Sequence, residues 1–245
     1  MRAAGTSPLN TVQVEVPGLS PQDVVVTDYL MRVYWWAYVH PRSVCLFERQ
    51  WLVNLILWGN FGRLRDAALD ALGERLDGRT LQIACVYGDL TRRLFARLGA
   101  DASLDIVDIL PIQLQNLARK LPPGGGVRHV HGNSAALEFE SASYDRALLF
   151  FLLHEQPEDV RRATITEALR VVKPGGRLVI VDYHRPHPLN PFGLPMTGIL
   201  SVLEPFALDL WRHEVTEWFP ATSRFLRIDK STMFGGLYQV LKVTV

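Results

Sequence analysis

Val171-Val172-Lys173-Pro174-Gly175-Gly176-Arg177-Leu178-Val179-Ile180-Val181-Asp182 is the stretch on which the fold turns. Proline cannot continue a helix, and two glycines free the backbone for a tight reversal, so a helix stops here and a new element begins. The new element, Arg177–Asp182, is short and apolar on both faces, the pattern of a strand buried inside a parallel sheet. Upstream, Pro157–Val172 has helical spacing, and before it Asp145–Leu153 is another near-continuous apolar run. The alternation extends further back. Thr80–Cys85, Leu104–Val107 and Val127–His131 read as strands, with helices over Leu90–Leu98 and Pro111–Leu121 between them. Such alternation predicts an α/β doubly wound, mostly parallel sheet. Phe225–Asp229 and Leu237–Val245, on either side of Gly235-Gly236, predict an antiparallel edge hairpin and bring the strand count to seven. Ligands of these sheets bind at the carboxyl ends of the strands.

Two regions depart from the alternation. Residues 1–76 are expected to form an extended segment and then an aromatic-rich helical arm. In this arm Thr27 or Asp28 caps a first helix, a second runs from near Ser43 to Gly59 or Gly62, and a third covers Leu64–Leu72 before Gly73. Residues 77–245 are expected to form the sheet domain. Within it, 186–220 carries six prolines among apolar and aromatic residues and is expected to act as a lid.

Composition excludes several classes. With 48% hydrophobic and 21% charged residues the chain is globular, and a net charge of +1 gives no electrostatic case for nucleic acid. Cys45 and Cys85 make neither a disulfide framework nor an all-cysteine zinc module. Met1–Gly18 has one basic residue, Arg2, and no apolar core, so no secretory signal is expected. The longest apolar stretch, Trp51–Trp58, is far short of the ~20 residues that span a bilayer. It suits either a membrane interface, where tryptophan is favoured, or an internal core helix.

The segment from Val171 to Asp182 resembles the approach to the fifth strand in class I S-adenosylmethionine-dependent methyltransferases. Other landmarks follow in the same order: Asp108 ending strand two, Gly132-Asn133-Ser134-Ala135-Ala136-Leu137 after strand three, and Tyr144-Asp145 opening strand four. The resemblance covers about residues 77–185. It implies that Asp108 and Ile109 meet the ribose of S-adenosylmethionine, that Asn133, Ser134 and Ala135 meet its adenine, and that Val86, Tyr87 and Gly88 meet its methionine end. The first loop departs from the family's Gly-rich pattern. In Gln82-Ile83-Ala84-Cys85-Val86-Tyr87-Gly88-Asp89, Gln82 replaces an acid, and Ala84 and Val86 replace two glycines. Glycine there lets backbone approach a ligand closely, so a differently shaped pocket is expected.

A sharper resemblance runs from about residue 28 to the C-terminus. Tyr34-Trp35-Trp36-Ala37-Tyr38-Val39-His40-Pro41, Val86-Tyr87-Gly88-Asp89, Leu153-His154-Glu155-Gln156-Pro157, Asp182-Tyr183-His184-Arg185-Pro186 and Leu208-Asp209-Leu210-Trp211-Arg212-His213-Glu214 look like the RquA family of rhodoquinone biosynthesis enzymes. That resemblance implies conversion of ubiquinone to rhodoquinone. A ring methoxy group is replaced by an amino group taken from S-adenosylmethionine, with manganese assisting. It also implies a cytoplasmic protein peripheral to the inner membrane, or on the matrix face of a mitochondrion.

The residues can be asked whether they fit. A quinone with an isoprenoid tail needs an apolar, aromatic cleft, and the aromatics of 34–38 with the segment 192–211 could line one or could simply cap the sheet. His154, Glu155, Asp182 and His184 follow two apolar strands, and His213 arrives from the lid. Imidazole and carboxylate suit a divalent ion such as Mn²⁺, while each residue also has a structural reading, Glu155 as a helix cap among them. Tyr87, Asp89 and Tyr183 are candidates for orienting or deprotonating the amine. Two alternatives remain open: methyl transfer to a quinol or phenol, and a non-catalytic quinone-binding protein of the same fold.

Overall fold

The computed structural model describes residues 49–122, 126–225 and 227–245, together with two short strands, β1 (Val12–Gln13) and β2 (Val25–Val26), which pair antiparallel. The expected first helix and the aromatic cluster of 34–38 lie outside the described residues.

Seven strands form the central sheet. They are β3 (Arg79–Ile83), β4 (Ser103–Asp108), β5 (Val127–His131), β6 (Tyr144–Phe150), β7 (Val172–Tyr183), β8 (Arg227–Met233) and β9 (Tyr238–Thr244). Their spatial order is β5-β4-β3-β6-β7-β9-β8, with the first five parallel, β9 antiparallel to β7, and β8 antiparallel to β9. The chain winds outward from β3 to β5, then returns to place β6 on the other side of β3. That reversal opens a crevice above the β3–β6 boundary. Residues 80–83 and 178–183 are buried on both faces, which explains why these strands lack polar alternation.

The helices are α1 (Gln50–Ile56), α2 (Phe61–Leu72), α3 (Leu90–Phe95), α4 (Pro111–Ala118), α5 (Glu158–Val171), α6 (Gly193–Leu203) and α7 (Asp209–Arg212). On α2, Phe61, Leu64, Ala68, Leu69 and Leu72 form one helical stripe and lie inside the core. The helix packs over β6, β7 and β9. The core therefore takes in residues N-terminal to the expected boundary at Asp77. Gly73, at φ +133°, stops α2 in a backbone conformation other residues rarely adopt.

Two of the shifts in expected boundaries have a clear local cause. The fourth strand ends at Phe150 rather than Leu153, because Phe151 turns to φ +54° and Leu153–Glu155 form a 3₁₀ turn. The turn at 173–176 is drawn into β7, because Gly175 N–H donates to the carbonyl of Val245 and Val245 N–H donates to that of Gly176. Arg161 of α5 is fully buried. It donates to the carbonyls of Leu153, Gln156 and Phe206, which ties the loop after β6 to the segment that follows α6.

Candidate active site

A cavity of about 520 Å³ sits at the carboxyl ends of β3, β4, β6 and β7. Ala84, Asp108, Phe151 and Tyr183 form its floor, while Ile56 of α1 and Met196 of α6 close it from above. Its lining is mostly apolar with a few polar groups, as small-molecule sites are. Two floor residues carry backbone strain. Ala84 is at φ +72° and Phe151 at φ +54°, conformations that cost on the order of 1 kcal/mol or more for residues with a Cβ. Ala84 thus keeps a glycine-like turn without being glycine.

At the β4 side, Asp108 is buried and accepts N–H bonds from Cys85 (2.7 Å) and Leu110 (2.8 Å), fixing the loops after β3 and β4 to each other. Burial raises its pKa, against the pull of those two N–H groups. Tyr87 lines the cavity, and its hydroxyl accepts from Gln113 Nε2 at 2.7 Å. Ser134 Oγ lies 3.0 Å from Thr164 Oγ1 and accepts from Gln156 Nε2 at 3.1 Å. Gln156 is fully buried in the cavity wall, and its Oε1 has no hydrogen-bond partner among the described residues. A buried acceptor left open beside Ser134 is the place for an exocyclic amine. Buried Asp108, the open Gln156 acceptor and the cavity volume could together hold S-adenosylmethionine.

At the β7 side, Asp182 is fully buried and accepts four N–H bonds: from the backbones of Leu153 (2.8 Å), His154 (3.3 Å) and Tyr183 (2.8 Å), and from His154 Nδ1 (2.9 Å). Anchored through Nδ1, the imidazole turns Nε2 toward two other cavity residues, 3.8 Å from Glu155 Oε1 and 4.0 Å from Glu204 Oε2. Burial opposes a charge on His154, but Asp182 foremost, then Glu204 and Glu155, outweigh it and raise its pKa to about 9. The ring stands edge-on to Tyr183, with centroids 4.9 Å apart. Burial also pushes the Tyr183 hydroxyl well above the usual range.

Comparison with known proteins points to the same fold. Residues 80–176 match a family model described as a methyltransferase domain. The chain is 31% identical over 121 residues to the ubiquinone/menaquinone biosynthesis C-methyltransferase UbiE of Idiomarina loihiensis, covering 48% of this chain and 47% of that protein. It is 31% identical over 141 residues to the Pseudomonas savastanoi protein of the same name, covering 55% and 54%. The chain thus spans about half the length of these curated relatives. An O-methyltransferase family protein from Burkholderia thailandensis superposes with a TM-score of 0.64 at 15% identity, covering 83% of this chain and 59% of that one. The fold is that of the class I methyltransferases.

Within this methyltransferase fold, the expected site residues divide. Val86, Tyr87, Asp108, Ile109, Asn133 and Ser134 line the cavity, as do Tyr183, His154 and Glu155. Gly88 and Ala135 do not. A Cβ on Gly88 would come within 2.9 Å of the Phe61 ring, so α2 packing accounts for that glycine, and Ala135 N–H closes a turn on Asn133 Oδ1. Asp89 is a correction to the expected catalytic set. It is held by Arg65 (2.8 and 3.0 Å) and Arg93 (2.7 Å) and does not line this cavity.

The expected metal set is also corrected: His154, Glu155 and Asp182 lie together, but the Asp182 carboxylate is already engaged and His184 and His213 sit apart from them. The four N–H donors around Asp182 occupy the lone pairs a cation would need. His184 accepts from Lys230 through Nε2 (3.0 Å) and donates Nδ1–H to the Gly236 carbonyl (2.8 Å). His213 pairs with Glu217 on the lid surface (3.0 Å). Among the described residues no group of three or more His, Cys, Asp or Glu is placed to hold an ion, so the residues present do not fit the manganese site that the resemblance implied. Glu204 and Gln156 are site residues that were not foreseen. Glu204 is the first charged residue after a long uncharged lid stretch, the one signal that pointed to it.

Proposed function

We propose that this chain transfers a group from S-adenosylmethionine to the ring of a quinol or phenol held beside His154, with methyl transfer as the reading its relatives support. One observation carries the proposal: a single cavity joins a nucleotide end (Asp108, Ser134, Gln156) to an apolar, aromatic end (Ile56, Phe151, Tyr183, Met196). S-adenosylmethionine, when bound, supplies a methyl group on a positively charged sulfur. Asp108 would hold the ribose, Gln156 the adenine amine, and Val86 and Tyr87 would wall the methionine end. His154, charged at neutral pH and fixed by Asp182, would present Nε2–H to an oxygen on the ring. A charge-assisted hydrogen bond there stabilises the ring's anionic form, whose carbon or oxygen is the stronger nucleophile. The apolar lining suits an isoprenoid quinone or quinol, consistent with the ubiquinone/menaquinone biosynthesis in the name of the UbiE proteins, and excludes competing water.

The first loop favours a second reading. Ala84 and Val86 narrow the methionine end where the fold usually carries glycine. Together with the resemblance to the RquA family, this supports replacement of a ring methoxy group by the amino group of S-adenosylmethionine, giving rhodoquinone. A position peripheral to the inner membrane belongs to either reading. The test is product mass spectrometry with quinone or quinol and S-adenosylmethionine, labelled at the methyl group in one tube and at nitrogen in another. Methyl label in the product, with release of S-adenosylhomocysteine, supports the first reading, and nitrogen label supports the second. Quinone that binds and acquires neither label would leave only a non-catalytic role.

A further inference from the structure

Every large apolar side chain exposed among the described residues lies in two segments, 51–58 and 189–203. These segments flank the mouth of the cavity. Leu52 and Ile56 of α1 line it on one side and Met196 and Leu200 of α6 on the other, and Trp58 Nε1 reaches Met196 Sδ at 2.8 Å between them. Both helices are also apolar on the outside. Trp51 is 60% and Leu55 64% exposed on α1, and Leu194 is 87% and Val202 78% exposed on α6. A helix apolar all round is buried or meets a membrane, and an apolar patch around a cavity mouth marks a contact surface.

Helical spacing orders this surface. At 100° per residue, Met196 and Leu200 face inward, Ile199 and Leu203 face the cavity, and Leu194, Gly198 and Val202 form the outer ridge. Thr197 falls on the opposite flank from the cavity, where it borders a cleft lined by Arg185, Leu208, Trp211 and Arg212. Arg185 is exposed and has no ion-pair partner among the described residues. Arg212 makes one loose contact with Asp209 at 3.5 Å, and Asp209 also faces Arg161 at 3.8 Å, so the cleft keeps net positive charge. The Trp211 indole N–H is buried without a hydrogen-bond partner among the described residues. Two guanidinium groups beside an apolar ridge match a phosphate carried at the edge of hydrocarbon.

We propose that α1 and α6 dock on a bilayer surface, with the Arg185–Arg212 cleft taking an anionic phospholipid headgroup and the cavity mouth opening toward the acyl chains. The surface deepens the quinone reading and rests on it for its purpose, because an isoprenoid substrate would then enter from the bilayer. Charge complementarity at the cleft selects a lipid surface over a second copy of this chain.

The test is co-sedimentation of the full chain with vesicles of phosphatidylcholine alone and of phosphatidylcholine containing phosphatidylglycerol. The protein is expected to bind both and to prefer the anionic ones. Neutralising both arginines (Arg185→Gln with Arg212→Gln) should weaken anionic binding about 30-fold, at ~1 kcal/mol per charge. It should leave phosphatidylcholine binding unchanged. Leu194→Glu with Val202→Glu should abolish binding to both, with the unfolding temperature and the turnover of a short-tailed, water-soluble quinol unchanged. Failure of the wild-type chain to bind either vesicle would overturn the proposal, as would self-association that Leu194→Glu abolishes. Vesicle binding with no turnover of any quinol would sink the quinone reading and leave the docking surface standing.

Discussion

The two ends of the sheet each bury an aspartate, and they treat it differently. At the amino end, Asp105 of β4 is held by Arg128 in a two-point contact (2.9 and 2.8 Å), by Arg79 (3.2 Å) and by the Tyr144 hydroxyl. Both arginines reach solvent, with 58% and 44% of their side chains exposed. Burial works against the Asp105 charge, and Arg128 foremost overcomes it, holding the carboxyl below its usual range. At the carboxyl end, Asp182 has three backbone donors and one imidazole, all buried, and the imidazole's free nitrogen faces a cavity rather than water. The first arrangement is closed and stabilising. The second holds a charged donor in a buried site, where its electrostatic effect on a ligand is stronger than at the surface.

The sharpest way to break this contrast is to remove the second carboxylate. Asp182→Asn should destabilise the fold by about 3–5 kcal/mol, because buried donors lose their anionic acceptor and an NH₂ is turned against N–H groups. Urea unfolding measures it. Turnover should fall with it, since His154 loses its anchor.

A pH series tests the same site from the other side. With the His154 pKa raised from 6.5 to about 9, its contribution to stability is fully present below pH 6.5 and is lost as pH rises through 9. The swing is on the order of 3 kcal/mol. His154→Gln should flatten that part of the stability profile and cut turnover by about 10²-fold or more. A wild-type profile that is flat over this window would mean that His154 is neutral in the fold.

Asp105→Asn should cost less, about 1–2 kcal/mol, because Arg128 and Arg79 can return to water, and it should leave turnover unchanged. Equal losses for the two aspartates would erase the distinction between the ends. The smallest effect is expected at Ala84→Gly. It relieves the φ +72° backbone and adds chain entropy to the unfolded state, for a net gain of about 0.5 kcal/mol or less by thermal unfolding.

Much of the sheet was legible because its central parallel strands are buried on both faces, so the strand ending at Asp182 stands out as an apolar run after turn residues, whereas Val127–His131, a half-buried edge strand, was marked by its β-branched residues and flanking glycines. Helix α2 was read short because Gly62 looked like a stop. In the first turn of a helix glycine is tolerated, and its added Cβ would meet only the tip of Arg65 at 3.8 Å. Site residues were legible where a strand end carries them into the crevice, as at Asp108, His154 and Tyr183. Side chains redirected by local bonds were not. His184 follows the strand that bears Asp182, yet the Gly236 carbonyl and Lys230 hold it elsewhere. Asp89 neighbours the nucleotide loop, yet Arg65, from a helix distant in sequence, claims it. Glu204 reaches His154 only because α6 folds back over the cavity, and no local pattern encodes that return.

The most direct test of the account is calorimetric titration of S-adenosylmethionine into the protein. One molecule is expected to bind per chain, with affinity reduced about 10-fold or more in Asp108→Ala and in Gln156→Leu, each of which removes a buried acceptor from the nucleotide end. Absence of binding by the wild-type chain, or binding unaffected by both substitutions, would contradict the assignment of this cavity to S-adenosylmethionine.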